Sequence, residues 1–169
     1  MNTFQIIIPV YKYQIFLDKC LESIECQDYP KNLIKAVVID DFSPEPLKLI
    51  KTSFKVDLIR NKDRMYAGYN RYMQYSKSND KDILIFLDGD DWLTDNKCLK
   101  IINKIYRENN IHWSISNHKL YKNEKLKIIP NTVNLPLLTD KPKICHLRCG
   151  YGYVWNKMNS DWIKINNNE

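Results

Sequence analysis

The sequence predicts an α/β fold, in which helices flank a mostly parallel central sheet within a single domain. Two observations carry this prediction. Short runs of β-branched and other apolar residues alternate with segments of helical spacing as far as about residue 110, an order typical of parallel strands joined by crossover helices. The chain has 169 residues, which is enough for one domain with a hydrophobic core.

The first strand and helix lie at the N-terminus. The run "FQIIIPV", Phe4 to Val10, is apolar and β-branched and predicts a buried strand. A helix is predicted from Tyr13 and ends before Tyr29-Pro30, because the residue before a proline disfavours helical backbone. The apolar or small residues that set its spacing are Ile15, Phe16, Cys20, Ile24 and Cys26.

Three further strands and their helices follow in the same half of the chain. The runs "IKAVVID", "KVDLIR" and "DILIFLD" predict strands at 34–40, 55–60 and 82–88. After the first of these runs, "DFSPEP" predicts a turn, and Pro46 suits the first turn of a short helix. Longer helices are predicted at about 66–78 and from Leu99 to the Asn109-Asn110 pair. Beyond them, "IHWSISNHKLY" and "KLKIIP" alternate and predict strands, and the pattern weakens after Pro130.

Charge and cysteine content exclude few classes of function. Lys and Arg number 26 against 20 acidic residues, and this excess is spread along the chain, which favours a solvated basic surface. Attraction to phosphates, acidic glycans or anionic lipid is the alternative and leaves room for peripheral membrane contact. No stripe of basic and aromatic residues indicates nucleic-acid binding. The five cysteines form no Cys-x-x-Cys pair, and the N-terminal apolar run is short, so we expect reduced thiols and a cytoplasmic protein.

Polar residues follow three of the predicted strands. They are Tyr11 after the first strand, Asp40-Asp41 at the end of the second, and Asp88-Gly89-Asp90-Asp91 at the end of the fourth. The carboxyl ends of parallel strands meet at one edge of the sheet, and ligands of such sheets bind beyond that edge. We therefore expect these residues to form one site.

Three carboxylates in four residues repel one another unless a cation lies between them. Mg²⁺ and Mn²⁺ prefer oxygen ligands and commonly share one or two carboxylates with substrate phosphates, so Asp90 could bridge to a diphosphate through a metal. Gly89 would let the backbone pass close to a ligand. The alternative is an exposed acidic turn ahead of the next helix, with Asp95 as its N-cap.

Two interpretations also exist for the end of the second strand. Asp40 and Asp41 could belong to a turn that Ser43 and Pro44 close. Alternatively, one carboxylate accepts a hydrogen bond from a nucleobase N–H, and Tyr11 provides a face on which that base stacks.

Three segments together resemble glycosyltransferase family 2, the nucleotide-sugar transferases with a Rossmann-like GT-A fold. They are "IIIPVYKYQIFLDKCLESIECQDYP", "AVVIDDFSP" and "ILIFLDGDDWL", which occur in the family's order and at compatible spacing. The resemblance covers residues 3–110 and returns at "YVWNKM", Tyr153 to Met158. It implies that residues 1–110 form a nucleotide-sugar-binding half and residues 111–169 a shortened acceptor-side half of the same domain.

The resemblance also implies a role for each matching residue. The family's base-binding, metal and catalytic roles fall on residues of the three strand ends. Asp41 would hydrogen-bond the base, usually uracil, Asp88 would lie near the ribose and the metal, and Asp90 would ligate Mn²⁺ or Mg²⁺. Asp91 would support the loop or the sugar. The remaining donor contacts would come from Pro9, Val10, Tyr11, Asp40 and Gly89.

The sequence departs from the family in two places. Asn70 matches a family position, but Tyr69 stands where an arginine is usual, so Arg64 or Arg71 would bring positive charge to the diphosphate. The family's acidic pair, which supplies the general base, has no clear counterpart. The candidate substitutes are Glu124, Asp140 and, best placed, Asp161; Trp155 and Lys157 either line the acceptor side or pack.

We therefore expect a metal-dependent, inverting transfer from a UDP-hexose to the hydroxyl of a glycan, lipid or protein, with oligomerisation left open. A nucleotide-sugar-binding module with weak or partner-dependent transfer is the alternative. A receiver domain or phosphatase fits less well. A receiver carries paired acids after its first strand, and the related phosphatase motif has Thr or Val where Trp92 stands.

Overall fold

The computed structural model describes residues 1–116, 118–122, 125–129 and 147–157. A six-stranded sheet has the order β3-β2-β1-β4-β8-β5, and a separate antiparallel pair is formed by β6 and β7. The strands are β1 (Phe4–Val10), β2 (Ile34–Asp40), β3 (Lys55–Arg60), β4 (Ile83–Phe86), β5 (Trp113–Ile115), β6 (His118–Lys122), β7 (Lys125–Ile129) and β8 (Arg148–Tyr151). The helices are α1 (Gln14–Glu25), α2 (Tyr66–Tyr75), α3 (Cys98–Glu108) and α4 (Gly152–Asn156), with a short 3-10 helix at Lys31–Leu33.

The mostly parallel sheet is confirmed. Strands β3, β2, β1 and β4 run parallel to one another, and β8 runs against both β4 and β5. Val10 lies opposite Asp40, and Asp40 lies opposite Arg60, so β1, β2 and β3 end at the same level. Three polar loops therefore leave the sheet side by side.

Both faces of the sheet are covered, which explains why the central strands are apolar throughout. Successive side chains of a strand point to opposite faces. On one face, Ile6 and Ile8 pack with residues of α1 and α3 such as Leu21 and Leu99. On the other face, Ile7 packs with residues of α2 and α4 in a second buried cluster. Every residue of β1 is buried.

The buried stripe of α1 is displaced from the predicted one. Ile15 and Phe16 are exposed, at 73% and 40%, and Cys26 lies beyond the helix end. The buried residues are Leu17, Cys20, Leu21 and Ile24. Their spacing of three and four residues gives a single face, and the two exposed side chains fall outside it.

The helix predicted to begin at Pro46 is wrong. Residues 46–52 form no helix, and two of their N–H groups bond to side chains of segments distant in sequence. Leu47 N donates to the Asp40 carboxylate at 3.3 Å, and Lys48 N donates to Gln14 Oε1 at 2.8 Å. Asp95 is likewise not the N-cap of α3: Lys97 holds that position, and its N–H donates to Asp95 Oδ1 at 2.8 Å.

The strands predicted between residues 111 and 130 are present as β5, β6 and β7. The main sheet is completed by β5 and by β8, which the sequence did not predict. The four cysteines that the structure describes, Cys20, Cys26, Cys98 and Cys149, are free thiols. Within the described ranges, no helix combines the length and apolar character needed to cross a bilayer.

Candidate functional site

Backbone hydrogen bonds join the loops that leave the sheet at its carboxyl edge. Asp41 N donates to Val10 O at 2.8 Å, and Gly89 N donates to Pro9 O at 3.1 Å. The loops after β2 and β4 are thus both tied to the end of β1, on either side of Tyr11. The polar strand ends identified in the sequence therefore lie side by side.

The Asp40 carboxylate organises the turn that follows β2. It is 2% exposed, pairs with Arg60 Nη1 at 2.5 Å, and accepts the Ser43 N–H at 2.8 Å. Ser43 Oγ in turn accepts the N–H of Lys12 at 2.9 Å, which fixes the loop after β1. Asp40 is therefore engaged in holding two loops of the site.

The Asp41 carboxylate receives hydrogen bonds from the loop between β3 and α2. Asn61 Nδ2 donates at 2.9 Å, Arg64 Nε at 3.2 Å, Met65 N at 2.8 Å and Tyr66 N at 2.9 Å. The last two N–H groups begin α2, which has no cap of its own in its sequence. Asp41 thus caps α2 from another strand, where a negative charge also favours the helix dipole.

Two opposing effects act on the pKa of Asp41. Burial raises the pKa, because it disfavours the charged form. The nearby amide side chains of Asn70 and Asn61 and the N–H groups of Met65 and Tyr66 favour the charged form and outweigh burial. The pKa is lowered from its ordinary 3.8, so Asp41 is an anion at neutral pH.

Tyr11 lies between the Asp41 loop and an open pocket. The Arg64 guanidinium lies 3.5 Å from the centre of the Tyr11 ring, at stacking distance. A pocket of about 150 Å³ opens beside Tyr11 toward the loop after β4. Its lining residues are Pro9, Val10, Tyr11, Lys12, Tyr13, Phe16, Gly89 and Asp90.

The acidic turn after β4 forms the far wall of this pocket. Asp91 N donates to Asp88 O at 2.9 Å, which closes the turn, and Asp90 is exposed to the pocket. Arg71 of α2 forms an ion pair with Asp88. At Gly89, a Cβ atom would lie 2.4 Å from Val10 Cγ2, so the sequence needs glycine there to pack against β1.

Negative charge is concentrated around this turn. Burial raises the pKa of the Cys20 thiol, and the charges of Asp91, Asp88 and Asp90 raise it further, so all three carboxylates act on one buried atom. In the described part of the chain, no three His, Cys, Asp or Glu side chains converge as a preformed metal cage. One or two carboxylates plus phosphate oxygens suit Mg²⁺ or Mn²⁺, and the oxygens of Asp88 and Asp90 fit that donor set.

Backbone strain is confined to the same loops. Four non-glycine residues have positive φ in the described chain: Lys12 at 67°, Tyr13 at 58°, Phe42 at 63° and Tyr66 at 61°. This region is unfavourable for side chains with a Cβ, and such residues concentrate at functional sites. All four lie in the loops after β1, β2 and β3 or at the start of α2.

Of the two residues expected on the acceptor side, Trp155 packs against other aromatic rings and Lys157 is exposed. Trp155 packs edge-on against Phe86, with ring centres 4.7 Å apart, and lies 6.2 Å from the Tyr75 ring. Lys157 is exposed after α4, with its ammonium 5.9 Å from the Tyr153 ring. Asp161, like Glu124 and Asp140, lies outside the described residues.

Sequence reasoning missed three contributors to the site. Arg60 holds Asp40, Asn61 bridges Asp41 and Asn70, and Phe16 lines the pocket. Arg60 ends β3 and Asn61 follows it directly, so extending the strand-end argument to the third strand would have found them. Phe16 was counted among the apolar residues that set the spacing of the helix, and its place at the pocket depends on how α1 is rotated.

Comparisons with known proteins give a family match over most of the chain. Residues 5–148 match the sequence model of the family described as "Glycosyl transferase family 2". An uncharacterized glycosyltransferase of Haemophilus influenzae is 30% identical over 109 residues, which are 64% of this chain and 36% of that protein.

Two solved structures are similar at lower identity. S. aureus TarS 1-349 in complex with UDP has a TM-score of 0.57 at 19% identity, covering 66% of this chain and 34% of that one. GalNAc-T7 with UDP, GalNAc and Mn²⁺ has a TM-score of 0.58 at 21% identity, covering 76% and 25%. At these identities the likeness shows a shared fold, and the chain spans about a third or less of the length of each relative.

Proposed function

The chain belongs to glycosyl transferase family 2 and has the GT-A fold, and from this membership we propose that it transfers a sugar from a UDP-hexose to an acceptor hydroxyl. The observation that carries the proposal is the meeting of Tyr11, Asp41 and the acidic turn at one sheet edge, beside an open pocket. Residues 1–110 would bind the donor, and residues 111–169 would contribute to the acceptor side.

The donor's parts are assigned to successive loops. Tyr11, with the backbone of Pro9 and Val10, would contact the uracil, whose N–H would donate to Asp41. Complexes of relatives with UDP support a uridine donor by analogy. Arg71 lies beside the acidic turn, is 16% exposed, and would bring positive charge to the diphosphate end.

Asp90 and Asp88 would hold Mn²⁺ or Mg²⁺, and Asp91 would support the turn or the sugar. When bound, such an ion supplies positive charge next to the diphosphate as it leaves. GalNAc-T7 was crystallised with Mn²⁺, which supports divalent metal use in this fold. Asp88 is paired with Arg71 in this structure, whereas Asp90 faces the pocket, so we assign the larger share of metal binding to Asp90.

Transfer with inversion would proceed by displacement at the anomeric carbon. The acceptor oxygen forms a bond to that carbon as the bond from the carbon to the diphosphate oxygen breaks, and the hydroxyl proton passes to a base. We propose Asp161 as that base, with the acceptor hydroxyl carried by a glycan, lipid or protein. Since residues 147–157 contain no carboxylate, donor binding with weak or partner-dependent transfer is the second candidate.

Nucleotide binding tests the proposal directly. UDP with Mn²⁺ should raise the melting temperature by roughly 5 °C at about 100-fold excess over Kd, because a ligand that binds only the native state stabilises it. UDP with a chelator should give a smaller shift, and GDP and ADP with Mn²⁺ should give little. Equal shifts for all three nucleotides would contradict the uridine assignment, and no shift at all would contradict donor binding.

The two candidate functions separate in one further assay. If the chain is an active transferase, a mixture of the chain, a UDP-sugar and an acceptor should release UDP faster than a mixture of the chain and the UDP-sugar without an acceptor. A chain that binds the donor but lacks an effective base should release UDP slowly at the same rate in both mixtures, since a positioned base contributes about 10²–10⁴-fold.

A further inference from the structure

We propose that Arg64 occupies the nucleobase position in the free protein and thereby sets donor affinity, because the base must displace its guanidinium. This inference rests on the proposed function, since it takes Tyr11 and Asp41 as the groups that contact the base. It differs from the role expected for Arg64 from the sequence, which was to contact the diphosphate.

The first support is the contact with Tyr11. The Arg64 guanidinium lies 3.5 Å from the ring centre, the distance at which a flat group stacks on an aromatic face. It also lies 5.0 Å from the centre of the Tyr66 ring. A base stacked on this face of Tyr11 and bonded to Asp41 would need the volume that the guanidinium fills.

The second support is that Asp41 has no acceptor position to spare. An ionised carboxylate has about four lone-pair positions, and four donors reach this one, from Asn61, Arg64, Met65 and Tyr66. The side chain of Asp41 is only 4% exposed. A nucleobase N–H can therefore bond to Asp41 only after one of these donors leaves.

Arg64 is the donor that can leave at the lowest cost. Met65 and Tyr66 donate through backbone N–H groups at the start of α2, and Asn61 is held by a second bond to Asn70 at 2.7 Å. The Arg64 side chain is 37% exposed and makes the longest of the four bonds, at 3.2 Å. Its guanidinium can turn outward into water, where its charge is well solvated.

The third support is the shape of the open space. The pocket beside Tyr11 is lined by the loop after β1, by Phe16, and by Gly89 and Asp90, and neither Asp41 nor Arg64 lines it. Its volume of about 150 Å³ is below the roughly 300–1,000 Å³ of ligand pockets. The space on the acidic-turn side of Tyr11 is thus open, and the space on the Asp41 side is filled by Arg64.

When a side chain fills a binding site for part of the time, the apparent affinity for the ligand is the intrinsic affinity multiplied by the fraction of molecules whose site is open. Removing the guanidinium should therefore tighten UDP binding, by about 10-fold if its stacking and single hydrogen bond have ordinary strength. The opposite result follows if Arg64 contacts the diphosphate, since losing that cation would then weaken binding.

Calorimetric titration of UDP with Mn²⁺ into the full 169-residue chain distinguishes these cases. Arg64→Ala should bind UDP about 10-fold more tightly than wild type. Arg64→Gln keeps much of the side chain's length and should also bind more tightly, and it serves if the alanine variant does not fold. Lys62→Ala removes the same charge from an exposed position in the same loop and should change Kd by less than about twofold.

Equal or weaker binding by both Arg64 variants, with wild type still binding UDP, would overturn the role of Arg64 and leave the proposed function intact. Tightening in Lys62→Ala equal to that in Arg64→Ala would also overturn it, because the effect would then follow from net charge. Absence of UDP binding in wild type and all variants would instead contradict the proposed donor, and this inference with it.

Discussion

Asp90→Asn should reduce metal-dependent release of UDP from the donor by at least about 100-fold, because a metal beside a leaving group stabilises the transition state by several kcal/mol. Asp90 is the carboxylate of the acidic turn that lines the open pocket, and the substitution removes its charge with almost no change in shape. Steady-state release of UDP, measured over a range of Mn²⁺ concentrations, gives the effect on rate and on metal requirement together.

The matched control is Asp95→Asn, an exposed carboxylate of the same connection between β4 and α3. Its oxygen accepts the N–H of Lys97, and an asparagine oxygen can accept the same bond, so this variant should retain wild-type turnover. Turnover in Asp90→Asn equal to that of the control, at every Mn²⁺ concentration, would remove the metal role from Asp90.

Asp41→Ala should lower the free energy of unfolding by roughly 3 kcal/mol or more, because hydrogen bonds to a charged group are worth about 1.5–3 kcal/mol each. The substitution removes the acceptor of the Met65 and Tyr66 N–H groups, and with it the cap of α2, and it removes one of the two acceptors of Asn61. Urea unfolding of the variant measures the loss. Asp63→Ala, which removes an exposed carboxylate nearby in sequence, should change stability by less than about 0.5 kcal/mol.

The same carboxylate gives stability a dependence on pH. The pKa of Asp41 is lower in the folded state than its ordinary 3.8, so its contribution is complete above that value and is lost as pH falls through the folded pKa. Asp41→Asn removes this titration, so the gap in stability between wild type and variant should narrow between about pH 5 and pH 2. A constant gap across that range would show that the charge of Asp41 does not stabilise the fold.

Much of the fold followed from local pattern. Buried parallel strands are apolar on both faces, so β1 and β2 stand out as continuous runs, and their polar ends must meet because parallel strands share an edge. The metal and base positions were predicted from that geometry and from the family's motifs. The structure shows that the residues at these positions lie at one edge of the sheet, and their roles in binding metal and base are the proposals made above.

The features that the sequence did not reveal depend on contacts between distant segments. Arg64 lies in the loop after β3 and Arg71 in the helix that follows it. The local sequence does not predict that Arg64 pairs with Asp41 and Arg71 with Asp88. The rotation of α1 about its axis is set by its packing in the fold, and this rotation determines that Phe16 lines the pocket. Pro46 is compatible with a helix locally, but the N–H groups of Leu47 and Lys48 bond to Asp40 and Gln14, which are distant in sequence, and no helix forms there.

A crystal structure of the chain with UDP and Mn²⁺ tests the central claim, that the carboxyl edge of the sheet is a donor site, most directly. The account predicts uracil against Tyr11 with its N–H on Asp41, the metal on Asp90, and the Arg64 guanidinium displaced from the Tyr11 ring. Nucleotide bound on any other surface, with this edge unchanged, would contradict it.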